Sequence, residues 1–264
     1  MQDILTCAMG LDIHRDVIVA CLAKGELGTD PEIEIRSFST LIPEMRKLRD
    51  WVLEAECRYV AMESTGIYWQ PIYEMLEPCF DGQINILVVN ARHMKNVPGR
   101  KTDMRDAQWI ATLLRAGLLK GSFIPDKTFR ELRHLTRYRK SIVRDITAQK
   151  NRIDKFLQSS GFRFTAFLSD AFGASGRNII RHLMEYGNIS REALDRCLKT
   201  QTRKRIDEIL IALNGSLSEH QRGFLRMIFG HLEALEQHRH TVEDAITKEI
   251  TKHEEALSLL CSIP

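Results

Sequence analysis

Several features that would place a chain outside the globular class are missing from this sequence of 264 residues. No apolar run reaches the roughly 18–20 residues that a membrane-spanning helix needs. The N-terminus has no basic segment followed by a long apolar stretch, so no signal peptide is expected. With 44% hydrophobic and 28% charged residues and only 7 prolines, the composition excludes a collagen and a disordered chain. It predicts a soluble protein with one large domain or two modest ones.

Cysteine is also scarce. The six cysteines are scattered, several of them inside apolar stretches, and no C-x-x-C pair occurs. They are Cys7, Cys21, Cys57, Cys79, Cys197 and Cys261. This usage predicts reduced thiols in a cytoplasmic protein.

The net charge of +3 is small, but charge is segregated along the chain. Residues 1–90 carry 7 Lys and Arg against 15 Asp and Glu, whereas residues 91–163 carry 18 against 6. Residues 164–264 are nearly balanced, with 13 against 14. A basic middle block beside an acidic one favours contact with a polyanion, although a solvated helix face would have a similar composition.

The apolar pattern of residues 1–90 predicts an α/β domain. Strands are expected at 7–13, 16–23, 32–38, 59–62 and 84–89, and helices at 41–55 and 69–76. Three strands that can pair as a meander are followed by helix, strand, helix and strand. This order fits a mixed five-stranded sheet of the ribonuclease-H-like type, one candidate among several α/β folds.

The second half of the sequence predicts long helices. After a helix at 103–119, a heptad pattern begins at Phe129, and a second long helix is expected at about 218–260. Shorter helices are expected between them, for instance at 176–186 and 203–213. The heptad helix that begins at Phe129 has two apolar seams. One is Leu132, Arg139, Ile146 and Ile153, and the other is Leu135, Ile142, Gln149 and Phe156. We therefore predict an α/β domain at 1–125 and a helical coiled-coil region at 126–264.

Four carboxylates are candidates for a metal site. Asp12 and Glu63 each end an apolar strand, and Asp103 and Asp106 lie three residues apart at a helix start, on one face. Such groups repel one another unless a cation is present, and Mg²⁺ takes oxygen ligands. Taken singly, each residue also has a purely structural interpretation as a helix-start or turn residue. Asp12 is the hardest to explain in this way, because it interrupts a stretch built for burial.

Three motifs carry a family resemblance. GLDIH at 10–14, MESTGIY at 62–68 and KTDMRDA at 101–107 together resemble the insertion-sequence transposases with a DEDD tetrad. That family includes the Piv-type DNA invertases and the bridge-RNA-guided recombinases. The resemblance is close over about residues 7–160, and its third motif is the most specific.

The resemblance implies a RuvC-like fold, itself a ribonuclease-H variant, in which Asp12, Glu63, Asp103 and Asp106 bind Mg²⁺. Two such ions can activate a nucleophile and stabilise the leaving oxygen of a phosphodiester. The resemblance also implies recombination of DNA in a homodimer or tetramer, guided in many members by a structured non-coding RNA.

One departure from the family concerns the nucleophile. Family members continue into a C-terminal domain that opens with an Ile-Pro-Gly-rich motif and supplies a serine. This sequence stops at 261–264, where that motif would begin, so we expect the domain to be absent and assign no serine nucleophile. Ser175 is interpreted as a loop residue before a helix. His231, His238 and His240 are interpreted as a solvated helix face, because they lack zinc-ligand spacing.

Basic residues flank the third motif and continue onto the first long helix. The candidate nucleic-acid contacts are Arg92, Lys95, Arg100, Lys101, Arg105, Arg130, Arg133, Arg137, Arg139, Lys140 and Arg144. Such residues bind phosphates without reading bases, and their affinity depends on salt. They suit a structured RNA recognised by shape, but residue types alone do not separate RNA from DNA.

These observations favour a DNA transposase or recombinase of the DEDD family, acting in a bacterial or archaeal cytoplasm at the nucleoid. Without its C-terminal domain we expect this chain alone to be inactive. One alternative is a RuvC-type Holliday-junction resolvase, which would hydrolyse branched DNA with the same carboxylates. A second alternative is a truncated module that dimerises and binds nucleic acid without activity.

Overall fold

A computed structural model describes residues 3–64, 66–90, 106–254, 258–259 and 262 of the chain. The chain divides into two compact units, Met1–Ile124 and Pro125–Pro264. Among the helices of these described ranges, none has the length and apolar character needed to cross a membrane. The cysteines within them, Cys7, Cys21, Cys57, Cys79 and Cys197, carry free thiols.

The first unit is built on a mixed five-stranded sheet. Its strands are β1 (Cys7–Ile13), β2 (Val17–Lys24), β3 (Glu32–Ser39), β4 (Tyr59–Glu63) and β5 (Asn85–Val89), in the order β3-β2-β1-β4-β5. β1, β2 and β3 form an antiparallel meander, whereas β4 pairs parallel with both β1 and β5. This is the ribonuclease-H-like, RuvC-like strand order, and it confirms the predicted fold class.

Helices cover the sheet on both faces. Helices α1 (Ile42–Glu54) and α2 (Trp69–Leu76) lie on one face and bury large side chains such as Leu48 and Ile72 against it. A short 3₁₀ turn at Cys79–Gly82 follows α2. Helix α3 (Asp106–Arg115) lies on the other face, where the sheet presents alanine and glycine.

The strand period assigns residues to these two faces. In β1, Met9, Leu11 and Ile13 belong to the core under α1 and α2, while Ala8 packs with α3. Because side chains alternate along a strand, Asp12 lies on the α3 face with Ala8. In β4, Met62 belongs to the α1 and α2 core and Ala61 to the α3 side, so Glu63 shares the face of Asp12.

A buried arginine ends α3. Arg115 is only 2% exposed, and its guanidinium donates to the carbonyl oxygens of Leu5, Gly25, Glu26 and Thr29. It also forms an ion pair with Asp3, at 3.2 Å. The charge is compensated by these acceptors, and the side chain attaches α3 to the β2–β3 hairpin.

The second unit is helical. Two long helices dominate it, α4 (Lys127–Ser159) and α9 (Glu219–Ile250). Between them lie α5 (Ala174–Tyr186), α6 (Arg191–Cys197), α7 (Thr200–Arg203) and α8 (Ile206–Ala212), with 3₁₀ turns at Phe164–Phe167 and Thr251–His253. Asp126 caps α4 by accepting from the Phe129 amide, and Ser218 and Gln221 form a capping box at α9.

The two long helices pack against each other in antiparallel directions. Tyr138 contacts His238 near one end of the pair, and Phe156 contacts Phe224 near the other, so residue numbers rise along one helix as they fall along its partner. The apolar seam residues Ile142, Ile146 and Ile153 are buried in this core. Gln149, a polar exception of the seam, is also buried and donates to the Ile228 carbonyl at 2.6 Å.

Three helix predictions differ from the structure, the first being the helix expected at 103–119, which ends at Arg115. The helix expected at 203–213 begins only at Ile206, as α8, because Arg205 has non-helical dihedral angles. The long helix expected to reach residue 260 ends at Ile250. There the Thr251 hydroxyl donates to the Lys248 carbonyl, and a 3₁₀ turn interrupts the helix. Beyond it, Glu254, Ser258 and Leu259 are again helical.

Candidate functional site

Two carboxylates meet where parallel strands end. β1 and β4 pair in parallel with Leu11 beside Met62. One residue further along, Asp12 and Glu63 are therefore neighbours on the same face, at the carboxyl ends of their strands. Adjacent strands lie about 4.8 Å apart, so the two side chains share one small region of the sheet edge.

Helix α3 brings a third carboxylate to this edge. Gly10 allows the helix backbone to lie directly on β1, because a Cβ atom at this position would come within 3.0 Å of the Ala107 carbonyl oxygen and the Ala111 amide nitrogen. Asp106, the first residue of α3, adjoins this contact. It therefore lies near Asp12, two residues beyond Gly10 in β1.

The electrostatics of Asp12 reflect this convergence. Its carboxyl group is 17% exposed, and burial raises the pKa of Asp12 above its ordinary value. His14 opposes this change, and the negative charges of Asp106 and Glu63 raise the pKa further. The three carboxylates thus interact electrostatically across two strands and a helix start.

His14 is the immediate partner of Asp12. Its Nε2 atom lies 3.2 Å from the Asp12 Oδ2 atom, and its ring is 59% exposed. The two residues are two positions apart on β1 and its extension, so they occupy the same side of the strand. His14 belongs to the GLDIH motif at 10–14, from which no role was predicted for it. The signal was its period-2 spacing from Asp12.

The fourth predicted carboxylate, Asp103, lies outside the described residues. Among the residues that are described, no group of three or more His, Cys, Asp or Glu side chains is arranged to hold a metal ion. Asp12, Glu63 and Asp106 nevertheless supply the hard oxygen donors that Mg²⁺ prefers, and their mutual repulsion is of the kind that a cation relieves. The donor chemistry of the three residues fits the ion.

The basic candidates divide into three groups. Arg92, Lys95, Arg100, Lys101 and Arg105 lie outside the described residues. Arg139 is an ion-pair partner of Glu243 on α9, at 2.7 Å, and Arg130 donates to the Pro125 carbonyl. The remaining four, which we call the basic stripe, are exposed on α4. They are Arg133, Arg137, Lys140 and Arg144.

The basic stripe is a continuous feature of one helix face. At about 100° per residue, its members fall within about 60° of one another and on the side opposite to buried Ile142 and Ile153. The stripe extends about 17 Å along the axis. No acidic residue lies three or four positions from any of its members, so the helix itself does not neutralise them.

The other polar candidates have structural roles. Ser175 is buried, and its hydroxyl accepts a hydrogen bond from the Lys199 amide at 3.0 Å. His238 hydrogen-bonds the Tyr138 hydroxyl at 2.8 Å, and His231 and His240 are exposed on α9. Sequence reasoning missed Arg115. A single basic residue in the last turn of a helix carries no local signal of burial.

A ribonuclease-H-like sheet with carboxylates at the ends of its parallel strands defines a class of enzymes that process nucleic acids. Residues 9–161 match the family model of IS110-type DEDD transposases, which is described as transposase. The match spans more than half of the chain, and the chain belongs to this family of DNA-cleaving transposases.

The chain matches no curated protein sequence. Among solved structures, RuvC of Thermus thermophilus is 12% identical with a TM-score of 0.30, and the match covers 44% of this chain and 99% of RuvC. RuvC of the same organism in complex with a Holliday junction substrate is 13% identical with a TM-score of 0.28, covering 45% and 100%.

Proposed function

We propose that the chain is a DNA transposase or recombinase that cleaves and exchanges DNA strands in an Mg²⁺-dependent reaction. The reaction would take place at the sheet edge where Asp12, Glu63 and Asp106 lie, which we call the carboxylate edge. The convergence of Asp12, Glu63 and Asp106 on one face of the sheet carries this proposal. Two of these residues stand on strand ends and the third on a helix start, and such rigid elements hold side chains in fixed positions.

Asp12, Glu63, Asp103 and Asp106 are the residues that would hold the metal. Bound there, Mg²⁺ would assist the attacking oxygen and stabilise the leaving oxygen of a phosphodiester. The protein's own contribution is to hold the carboxylate oxygens at the sheet edge and to keep Asp12 partly shielded from water. His14, at hydrogen-bonding distance from Asp12, orients that carboxylate.

We propose that the basic stripe binds the phosphate backbone of nucleic acid, either the DNA substrate or a structured guide RNA. Support comes from its four exposed cations on one helix face and from the absence of acidic neighbours at helical spacing. The stripe belongs to the second unit and is independent of the carboxylates. A chain that cannot cleave would therefore still bind nucleic acid, as the second candidate function, a binding module without activity, requires.

We propose that α4 and α9 form an antiparallel coiled coil within one chain. Since their apolar seams are buried against each other, a homodimer or tetramer would use other surfaces. The family resemblance supports such an assembly, and a DNA substrate supports action at the nucleoid of a bacterial or archaeal cytoplasm. Sedimentation of the purified chain at several concentrations tests the oligomeric state.

The variant Asp12→Asn tests the metal site, because it removes the charge while nearly preserving the shape. We expect it to lose Mn²⁺ binding in a calorimetric titration of the chain and, in the assembled recombinase, to lose Mg²⁺-dependent DNA cleavage. The matched control is Asp16→Asn, whose side chain is 88% exposed just beyond β1 and should have no effect. Equal metal binding by wild type and Asp12→Asn would contradict the proposal.

The products distinguish the candidate functions. Nicking of four-way junction DNA without a covalent protein–DNA adduct would favour the resolvase. DNA binding without metal binding would favour the inactive module. Strand exchange that requires Asp12 would favour the recombinase.

A further inference from the structure

Two consecutive apolar side chains are exposed beside the carboxylate edge. Ile67 is 69% exposed and Tyr68 is 37% exposed, four and five residues after Glu63. Packing on helix α2, which follows, does not cover Ile67. Ile67 precedes the N-cap of α2, where an apolar residue often packs on the fourth helical residue, here Ile72. Ile72 is instead buried in the core of the sheet, and Ile67 remains in contact with water.

The local backbone holds these side chains at the same end of the sheet as Glu63. The Ser64 amide donates to the Val89 carbonyl at 2.9 Å, which keeps the chain beside the carboxyl end of β5 as it leaves β4. Gly66 has a φ of +56°, a conformation that other residues rarely adopt. The Gln70 amide then donates to the Ile67 carbonyl and closes a turn. Ile67 and Tyr68 occupy this turn, between the site and α2.

The chemistry of a bound nucleotide limits what such side chains can contact. A phosphodiester at the carboxylates presents charged oxygens to the site, and apolar side chains do not compensate charge. The parts of the nucleotide that an isoleucine and a tyrosine can contact favourably are the base faces and edges. Aromatic side chains stack on bases of any sequence, and apolar side chains can insert between base steps.

We propose that Ile67 and Tyr68 contact the bases next to the phosphate that the carboxylate edge engages, Tyr68 by stacking and Ile67 by apolar packing against an unstacked base. This inference rests on the proposed function, because the position of the phosphate is the carboxylate site. It assigns the turn after β4 a substrate-positioning role that does not depend on base sequence. DNA with accessible bases would therefore bind more tightly than the same backbone without bases.

Binding of two single-stranded probes tests the proposal. One probe is a 20-nucleotide oligo(dT), and the other is an abasic oligomer of the same length and charge. The full chain is titrated with each in buffer containing Ca²⁺, which also takes oxygen ligands, and electrophoresis verifies that the probes stay intact. We expect wild type to prefer oligo(dT). We expect Ile67→Ser combined with Tyr68→Ala to weaken oligo(dT) binding at least about fivefold and to leave abasic binding unchanged.

The control variant is Leu27→Ser. Leu27 is 54% exposed in the β2–β3 hairpin, at the opposite end of the sheet, so its replacement removes an exposed apolar side chain without affecting the site. Thermal unfolding should be nearly the same for all variants, because the replaced side chains are exposed. An unchanged preference for oligo(dT) in the double variant would overturn the proposal, as would equal binding of both probes by wild type.

The outcomes separate this inference from the proposed function. If Asp12→Asn abolishes metal binding and cleavage while the double variant keeps its base preference, the proposed function stands and the role of Ile67 and Tyr68 is wrong. If the double variant loses the preference but wild type binds no Mn²⁺ at the carboxylates and the assembled recombinase shows no metal-dependent cleavage, the base contact stands and the proposed reaction is wrong.

Discussion

The contact between Gly10 and α3 offers the most direct test of how the carboxylate site is assembled. In the variant Gly10→Ala, the new methyl group would lie within 3.0 Å of the Ala107 carbonyl oxygen and the Ala111 amide nitrogen, against 3.4–4 Å for ordinary contact. Both are backbone atoms of α3, so no side-chain rotation can make room. The helix must retreat by about 1 Å before both contacts reach the ordinary range.

The expected cost follows from this geometry. Overpacking a well-packed contact costs about 1–3 kcal/mol, and we expect the upper part of that range because the obstructing atoms are backbone. The retreat also moves Asp106 away from Asp12 and Glu63. Since a displacement of about 1 Å can cost about 100-fold in rate, we expect Gly10→Ala to impair Mn²⁺ binding, and cleavage by the assembled recombinase, although no carboxylate is changed.

Urea unfolding and calorimetric Mn²⁺ titration measure the two effects. Gly223→Ala in α9, where an added methyl group meets nothing within 4 Å, is the control and should stabilise the chain by about 0.4–1 kcal/mol. Adding Ala111→Gly to Gly10→Ala should give no rescue, because glycine keeps the obstructing amide nitrogen. The reasoning would be refuted if Gly10→Ala unfolded with the wild-type free energy and bound Mn²⁺ normally.

Three further predictions concern charge and packing. Because the pKa of Asp12 is raised in the folded state, its ionisation opposes folding. Asp12→Asn should therefore be more stable than wild type at pH 7, and it should lose that advantage as acidification protonates Asp12 in the wild type. Urea unfolding at several pH values measures this difference in stability. Alanine at the first three positions of the basic stripe should weaken binding to all sequences alike and flatten the log–log slope of affinity against salt concentration by about 2 to 3. Titration of labelled duplex DNA and structured RNA measures this slope, and an unchanged slope would contradict the stripe's role. Ile153→Ala should cost about 2–5 kcal/mol in unfolding free energy, whereas Val143→Ala, on the exposed side of α4, should cost less than about 1 kcal/mol. Similar losses for both would contradict the assigned seam.

Local patterns in the sequence determined most of the secondary structure. The strands and α2 were predicted within a residue or two, because the period of two along a strand and the spacing of apolar residues along a helix are properties of the backbone itself. Asp12 also stood out in the sequence, since a charged residue inside an apolar strand such as β1 is costly without a partner or a metal. Helix ends were less predictable, as the break at Arg205 shows, because they depend on single dihedral angles.

The tertiary structure decided which of these elements meet. A heptad seam describes one helix face and accepts any complementary apolar face, so only the folded chain pairs α4 with α9. Arg139 is as basic in sequence as its neighbours, yet the antiparallel pairing places it against Glu243 and leaves the basic stripe to solvent. The carboxylate edge likewise depends on register and on the close approach of α3 at Gly10, contacts between distant segments that no local pattern contains.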